Sequence, residues 1–242
     1  MAAPFRLRRQ ACLVSRRLEM LKDRHRGERG VIVANGPSLN RMDLAFLRRE
    51  TVVGMNKIHL GFDRFGFYPR YYVAVNRHVI EQSQRHIRAL NCVKFIGDRG
   101  SEGRIQEDAL TYLLNTREPP ARFCHDIAQG LHEGWTVTYA ALQVARYLGF
   151  QEVVLIGLDH RYRYEGSPNE LLKFEGPDHN HFSEAYFGHG QAWNNPDLER
   201  SEESYRIART EYEKEGRRIL DATVDGACTL FEKVDHRDIF QS

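Results

Sequence analysis

Four short apolar runs, each stopping abruptly at polar residues, constrain this chain more than any other feature. Val31-Ile32-Val33-Ala34 ends at Asn35-Gly36-Pro37-Ser38, and Thr51-Val52-Val53-Gly54-Met55 ends at Asn56. Tyr71-Tyr72-Val73-Ala74-Val75 ends at Asn76, and Glu152-Val153-Val154-Leu155-Ile156-Gly157 ends at Leu158-Asp159-His160. Runs without polar alternation read as strands buried on both faces, the mark of a parallel sheet covered by helices. Val93-Lys94-Phe95-Ile96 reads as a further strand, and Arg218-Ile219-Leu220 and Leu230-Phe231 read as closing strands. Helical stretches alternate with them: Asp43 to Leu47, the spaced set Val137, Ala140, Ala141, Val144 and Leu148 ending at Gly149, and a charged segment over about 198–217. The pattern predicts an α/β domain with a Rossmann-like, mostly parallel sheet and helices on both faces. Ligands in such sheets sit beyond the carboxyl ends of the strands, where Asn35, Asn56, Asn76, Asp159 and His160 all fall.

The segment 161–195 has no clear period but carries Tyr162, Tyr164, Phe174, Phe182, Tyr186, Phe187 and Trp193. So many aromatics argue for an ordered His/Tyr-rich lid over the strand ends, since long irregular stretches in compact domains are usually functional. Residues 1–29 hold nine Lys/Arg against three acids, and the rest hold 26 against 30. That divides the chain into a basic extension, 1–29, and one domain, 30–242. Leu13, Leu18 and Leu21 share one face of a helix read from Arg9 to Arg24. This helix either packs on the body by its leucines or touches an anionic membrane surface. The basic stretch is too short and too poor in aromatics for nucleic-acid binding. No run approaches the eighteen or so apolar residues of a membrane span, and the apolar piece from Ala11 to Val14 is too short for a signal peptide. Cys12, Cys92, Cys124 and Cys228 form no CxxC pair, which reads as reduced thiols of a cytoplasmic protein, at most placed at the inner face of the membrane.

The first turn lacks both GxGxxG and GK[ST], which argues against a nicotinamide dehydrogenase or a P-loop enzyme. Gly36 nevertheless lets a ligand approach the backbone, and the N–H groups beyond Pro37 can cradle a phosphate. Asn35 offers both a donor and an acceptor. His160, His179, His181 and His189 cluster near Asp159 and Asp178, and three readings stay open for them. One is general base catalysis; another is a metal site using His179 and His181 with Asp159 or Asp178; the third is a hydrogen-bonded lid. The hydroxyls of Tyr162, Tyr164 and Tyr186 suit a leaving phosphate or plain packing.

The ordered set Asn35-Gly36-Pro37-Ser38-Leu39, Asn56 and Asn76, with Gly149 to Asp159, resembles the bacterial sialyltransferases of glycosyltransferase family forty-two. More broadly the chain is similar, over roughly residues 30–235, to the domains named after the 6-hydroxymethylpterin pyrophosphokinase MptE. The resemblance implies a metal-independent, inverting glycosyltransferase. It would take a sialic or related ulosonic acid from a CMP-sugar to a glycan or lipid-linked acceptor, in polysaccharide or glycoconjugate assembly. Asn35, Asn56 and Asn76 match the donor-contacting asparagines. Gly36, Ser38, Thr136, Asp159 and His160 join them as expected donor-nucleotide contacts. His181 matches the general base, with His179 and His189 as shifted alternatives. Of the family's two leaving-group tyrosines, the first matches Val154 here, and Tyr162 lies one residue off the second. A magnesium-ATP pterin pyrophosphokinase is the rival, and would want carboxylates where Asn56 and Asn76 stand. A non-catalytic nucleotide-binding module is a third reading, and a metal hydrolase a fourth.

Overall fold

The computed structural model describes residues 16–118 and 120–240. Eight parallel strands form one sheet. In chain order they are β1 (Arg29–Val33), β2 (Val52–Met55), β3 (Tyr71–Ala74), β4 (Val93–Gly97), β5 (Thr111–Leu114), β8 (Glu152–Ile156), β11 (Arg218–Asp221) and β12 (Glu232–Lys233). The intervening β6 (Thr116–Arg117) and β7 (Leu131–His132) pair apart from this sheet, as do β9 (Leu171–Lys173) and β10 (Ala192–Asn194). Spatial order runs β12-β11-β8-β1-β2-β3-β4-β5. The chain therefore steps outward from β1 to β5 and returns to place β8 against the other side of β1. Val31 is in register with both Val52 and Val154, so the switch point lies between β1 and β8.

Alternation along each strand feeds two cores. Ile32, Val53, Met55, Tyr71 and Val73 face one side, under α2 (Val137–Leu148) and α3 (Leu198–Lys214). Val31, Val33, Val52, Tyr72 and Ala74 face the other. That side is covered by the turns Pro37–Arg41 and Ala45–Arg49, by α1 (Arg77–Ala89) and by lid aromatics. Each of these three helices starts on a side-chain cap: Asn76 accepts from Val79 N, Thr136 from Thr138 N and Asp197 from Arg200 N. Gly149, with φ of 97°, ends α2 where a β-carbon would strike the Asp23 backbone.

The expected architecture is present, with local differences. The closing strand read at Leu230-Phe231 forms instead at Glu232–Lys233, because buried Phe231 serves the core rather than the ladder. Helix α3 stops at Lys214 rather than 217, before Gly216 turns the chain at φ of 68°. The lid is not wholly irregular: β9 and β10 make an antiparallel ribbon, too short and too exposed to leave a period. The helix read from Arg9 to Arg24 lies outside the described residues up to 15, Leu13 included. Residues 16–19 are helical and the chain then turns. Leu18 and Leu21 are buried in the core, and Arg17 bonds the Asp108 and Ala109 carbonyls at 2.7 Å. The proposed boundary at 29/30 falls inside β1. Among the described residues no helix is long and apolar enough to cross a membrane.

Candidate active site

A cavity of about 110 Å³ lies at the carboxyl ends of β1, β2 and β8, the position the switch point predicts. The lid roofs it with Tyr162, Asn180, His181 and Tyr186, and the N-terminus of α2 closes one side with Thr136 to Thr138. Asn35 and Asn56 both line it. Asn35 is 8% exposed and donates its Nδ2 to the Met55 carbonyl at 3.3 Å, leaving Oδ1 buried and unpartnered. Asn56 sits in left-handed backbone, φ 49°, and its Oδ1 is likewise buried without a partner. An unmet buried acceptor costs about 1–3 kcal/mol, so two on residues that line one cavity mark a place where a ligand's N–H or O–H is welcome.

His181 is the one lid histidine that reaches this cavity, since His179 and His189 are exposed. Its Nδ1 donates to Asp178 Oδ2 at 2.8 Å, while Asp178 Oδ1 accepts the Asn180 N–H at 2.8 Å. Asp178 is 1% exposed, so it is a fixed orienting group. That bond selects the tautomer with Nε2 as a free acceptor, the form a general base needs. The ring stacks on Tyr186 at 3.8 Å and 1°. Two further bonds pin the lid to the first turn: Phe182 N to the Asn35 carbonyl at 2.9 Å, and Asn40 Nδ2 to the Phe182 carbonyl at 2.9 Å. Tyr162 lies 6.2 Å from His181, ring to ring, and burial pushes its phenol up to about 12, so it stays a proton-bearing donor at neutral pH.

Beneath the roof, Lys57 acts as a clasp. Its ammonium donates to the Tyr186 carbonyl at 2.5 Å, Gln82 Oε1 at 2.7 Å and Gln191 Oε1 at 2.9 Å. Gln82 belongs to α1, whereas Tyr186 and Gln191 belong to the lid. Burial lowers the amine to about 8, against an opposing pull from Asp178.

The Asn35-Gly36-Pro37-Ser38 turn differs from the phosphate cradle expected of it. Asp159 already occupies its donors: Ser38 N reaches Oδ1 at 3.0 Å and Ser38 Oγ reaches Oδ2 at 2.6 Å. A β-carbon on Gly36 would overlap the Asp159 carboxylate and approach the Gly157 carbonyl at 2.6 Å. Glycine is required here so that β1 and β8 can close on each other. Burial raises the Asp159 carboxyl, with the Ser38 bonds opposing. Asn76 stands outside the cavity, exposed and capping α1. Thr136 caps α2 and lies 3.4 Å from the Tyr205 hydroxyl, and His160 bonds Glu202 at 3.2 Å. Both line the cavity, as Gly36 and Asp159 do. Among the described residues no three His, Cys, Asp or Glu side chains converge as a cation's ligand set.

Sequence reasoning overlooked Lys57, Glu202 and Tyr205. The pairing of Asp178 with His181 was legible as an i,i+3 spacing. Nothing local marks Lys57 as buried, because its acceptors come from residues 25 to 134 positions away.

Comparison with solved structures finds the MAf glycosyltransferase from Magnetospirillum magneticum AMB-1, with a TM-score of 0.54 and 13% identity. The match covers 93% of this chain and 38% of that one, and at this identity it shows a shared fold. A comparison with curated proteins gives no match. The model of the 6-hydroxymethylpterin diphosphokinase MptE-like family matches residues 7–165, which hold β1, β2, β8 and the polar strand ends, while the lid histidines lie beyond the matched stretch. The chain belongs to the MptE-like family.

Proposed function

We propose that the crevice is the donor site of an inverting, CMP-sugar-dependent glycosyltransferase that moves a sialic or related ulosonic acid to a glycan or lipid-linked hydroxyl. The observation that carries this reading is the His181–Asp178 pair on the roof of a crevice floored by Asn35 and Asn56. Nε2 of His181 takes the acceptor's proton as the hydroxyl attacks the anomeric carbon opposite the departing phosphate, which inverts that centre. The two orphaned amide oxygens accept from the donor's amino or hydroxyl groups. The N-terminus of the twelve-residue α2, with Thr136 and Thr138, favours the donor's anionic groups. The likeness in fold to the MAf glycosyltransferase supports the transferase class. Ligand pockets usually measure about 300–1,000 Å³, so the donor takes its place only with the lid displaced.

The family description favours a second reading, magnesium-ATP phosphotransfer to a pterin. Phosphotransfer relies on carboxylate-held metal, whereas Asp159 is tied to Ser38 and Asp178 to His181. A thermal-shift comparison of CMP and ATP, each with and without Mg²⁺, separates the two. A ligand at a hundredfold excess over its Kd stabilises by about 2.7 kcal/mol. Stabilisation by CMP regardless of Mg²⁺ is expected; a response to ATP only with Mg²⁺ refutes glycosyl transfer, and binding without turnover of any donor leaves a nucleotide-binding module. H181N should keep the CMP shift and lose about 10²–10⁴-fold in kcat. Full activity in a folded H181N would remove His181 as the base.

A further inference from the structure

The crevice holds a second imidazole in a built environment. His160 follows Asp159 beyond β8 with φ of 50°, a left-handed backbone uncommon outside glycine, though histidine tolerates it better than most, and one that clusters at functional sites. Its side chain is only 6% exposed and lines the cavity. Nε2 meets Glu202 Oε1 at 3.2 Å, and Arg206, one turn along α3, braces the other carboxylate oxygen at 2.8 Å. The ring lies 5.8 Å from that of Tyr205, whose hydroxyl is 3.4 Å from Thr136 Oγ1. His160 therefore sits beside the N-terminus of α2, where an anion is favoured. Among the described residues Glu202 is the hydrogen-bond partner of the ring, which leaves Nδ1 without one in a residue that lines the cavity. An imidazole backed by a carboxylate is suited to carrying a proton.

We propose that His160 is the general acid of the transfer, giving its proton to the departing phosphate; this rests on the glycosyltransferase reading above. The acceptor oxygen forms its bond to the anomeric carbon as its proton passes to His181 Nε2. The bond from that carbon to the phosphate oxygen breaks, and the electron pair stays on the phosphate. The imidazolium of His160 donates Nδ1–H to a phosphate oxygen while Nε2–H stays on Glu202. One proton is taken up and one released, and exchange with solvent resets both histidines. Two imidazoles held by separate carboxylates let one site run base and acid chemistry together. The titratable and charged groups around His160 are Glu202 and Tyr205 of α3, which meet its ring, Arg206 behind Glu202, and Asp159, Tyr162 and His181, which line the same cavity.

The test follows CMP release from CMP-N-acetylneuraminate and CMP-3-deoxy-octulosonate across the pH range in which the protein stays folded. H160N should lose about 10²-fold or more in kcat while the donor KM stays within about threefold. The alkaline limb of the profile should vanish, because no acid remains to be deprotonated. Wild-type kcat in H160N, or a reduced kcat with that limb intact, overturns the assignment. If H160N does not melt like the wild type, E202Q carries the test. It keeps the imidazole and removes its anionic partner, so the alkaline limb should move to lower pH, and an unmoved limb overturns the proposal. A wild-type protein that CMP does not stabilise and that turns over neither donor refutes glycosyl transfer itself. Normal wild-type turnover with an indifferent H160N refutes His160 alone.

Discussion

At the scale of single residues, the crevice is held in a state less stable than its sequence could reach. Asn56 combines left-handed backbone with a buried, unpartnered amide oxygen, and Asn35 adds a second such oxygen nearby. Glycine adopts φ of 49° without a β-carbon penalty and carries no orphan acceptor. N56G should therefore match or exceed the wild-type melting temperature, while the stabilisation by CMP shrinks. That pairing is the signature of a residue kept for a ligand at some expense in stability. A fall in melting temperature with an unchanged CMP shift would instead make Asn56 a plain turn-former. Asn76 is the contrast: its Oδ1 accepts from Val79 N, so it caps a helix and carries no orphaned oxygen. The two kinds of asparagine look alike in sequence, because whether an amide is satisfied depends on groups brought in by folding.

At the scale of elements, strands and α2 were legible because burial on both faces leaves continuous apolar runs, and because Gly149 punctuates the helix. Helix α1 was harder to read, since its buried stripe is only Val79, Ile80, Ser83 and Ile87 among polar neighbours. The lid was legible as ordered, from its aromatics, but its fastening to α1 through Lys57 was not. That fastening has a pH dependence whose sign can be worked out. With the lid closed the amine titrates at about 8; once lifted into water it returns toward its ordinary 10.5. The open state then binds more protons between those values, so closure strengthens as pH rises from about 8 towards 10.5, and its strength falls to a lower plateau below 8. Hydrogen exchange of the backbone around 181–192, corrected for intrinsic rates, should show protection growing across that window. K57M should abolish the growth and lower protection throughout, because the Gln82, Gln191 and Tyr186 oxygens lose their donor. A pH slope that persists in K57M would exclude Lys57 as its source.

At the scale of the whole molecule, the parallel sheet sets where chemistry can occur and the lid sets when. The switch point between β1 and β8 creates the crevice. Asp159, bonded to Ser38, locks the two strand ends together, so the floor is rigid. The roof is held by hydrogen bonds to Asn35, Asn40 and Lys57 and by the buried rings of Phe182, Tyr186 and Phe187, and it can open locally without the sheet unfolding. The crevice of about 110 Å³ is smaller than the usual ligand pocket of about 300–1,000 Å³. On the proposed reading, a nucleotide enters as the roof lifts, and lifting becomes the slow step once ligand is abundant. Stopped-flow mixing with CMP should give an observed rate that levels off as CMP rises, with the plateau reporting lid opening. K57M, lacking the clasp, should raise the plateau while leaving the floor contacts in place. A rate that climbs linearly to the highest CMP concentration, with no plateau in either protein, would mean that the crevice is open in solution and that the lid does not gate it.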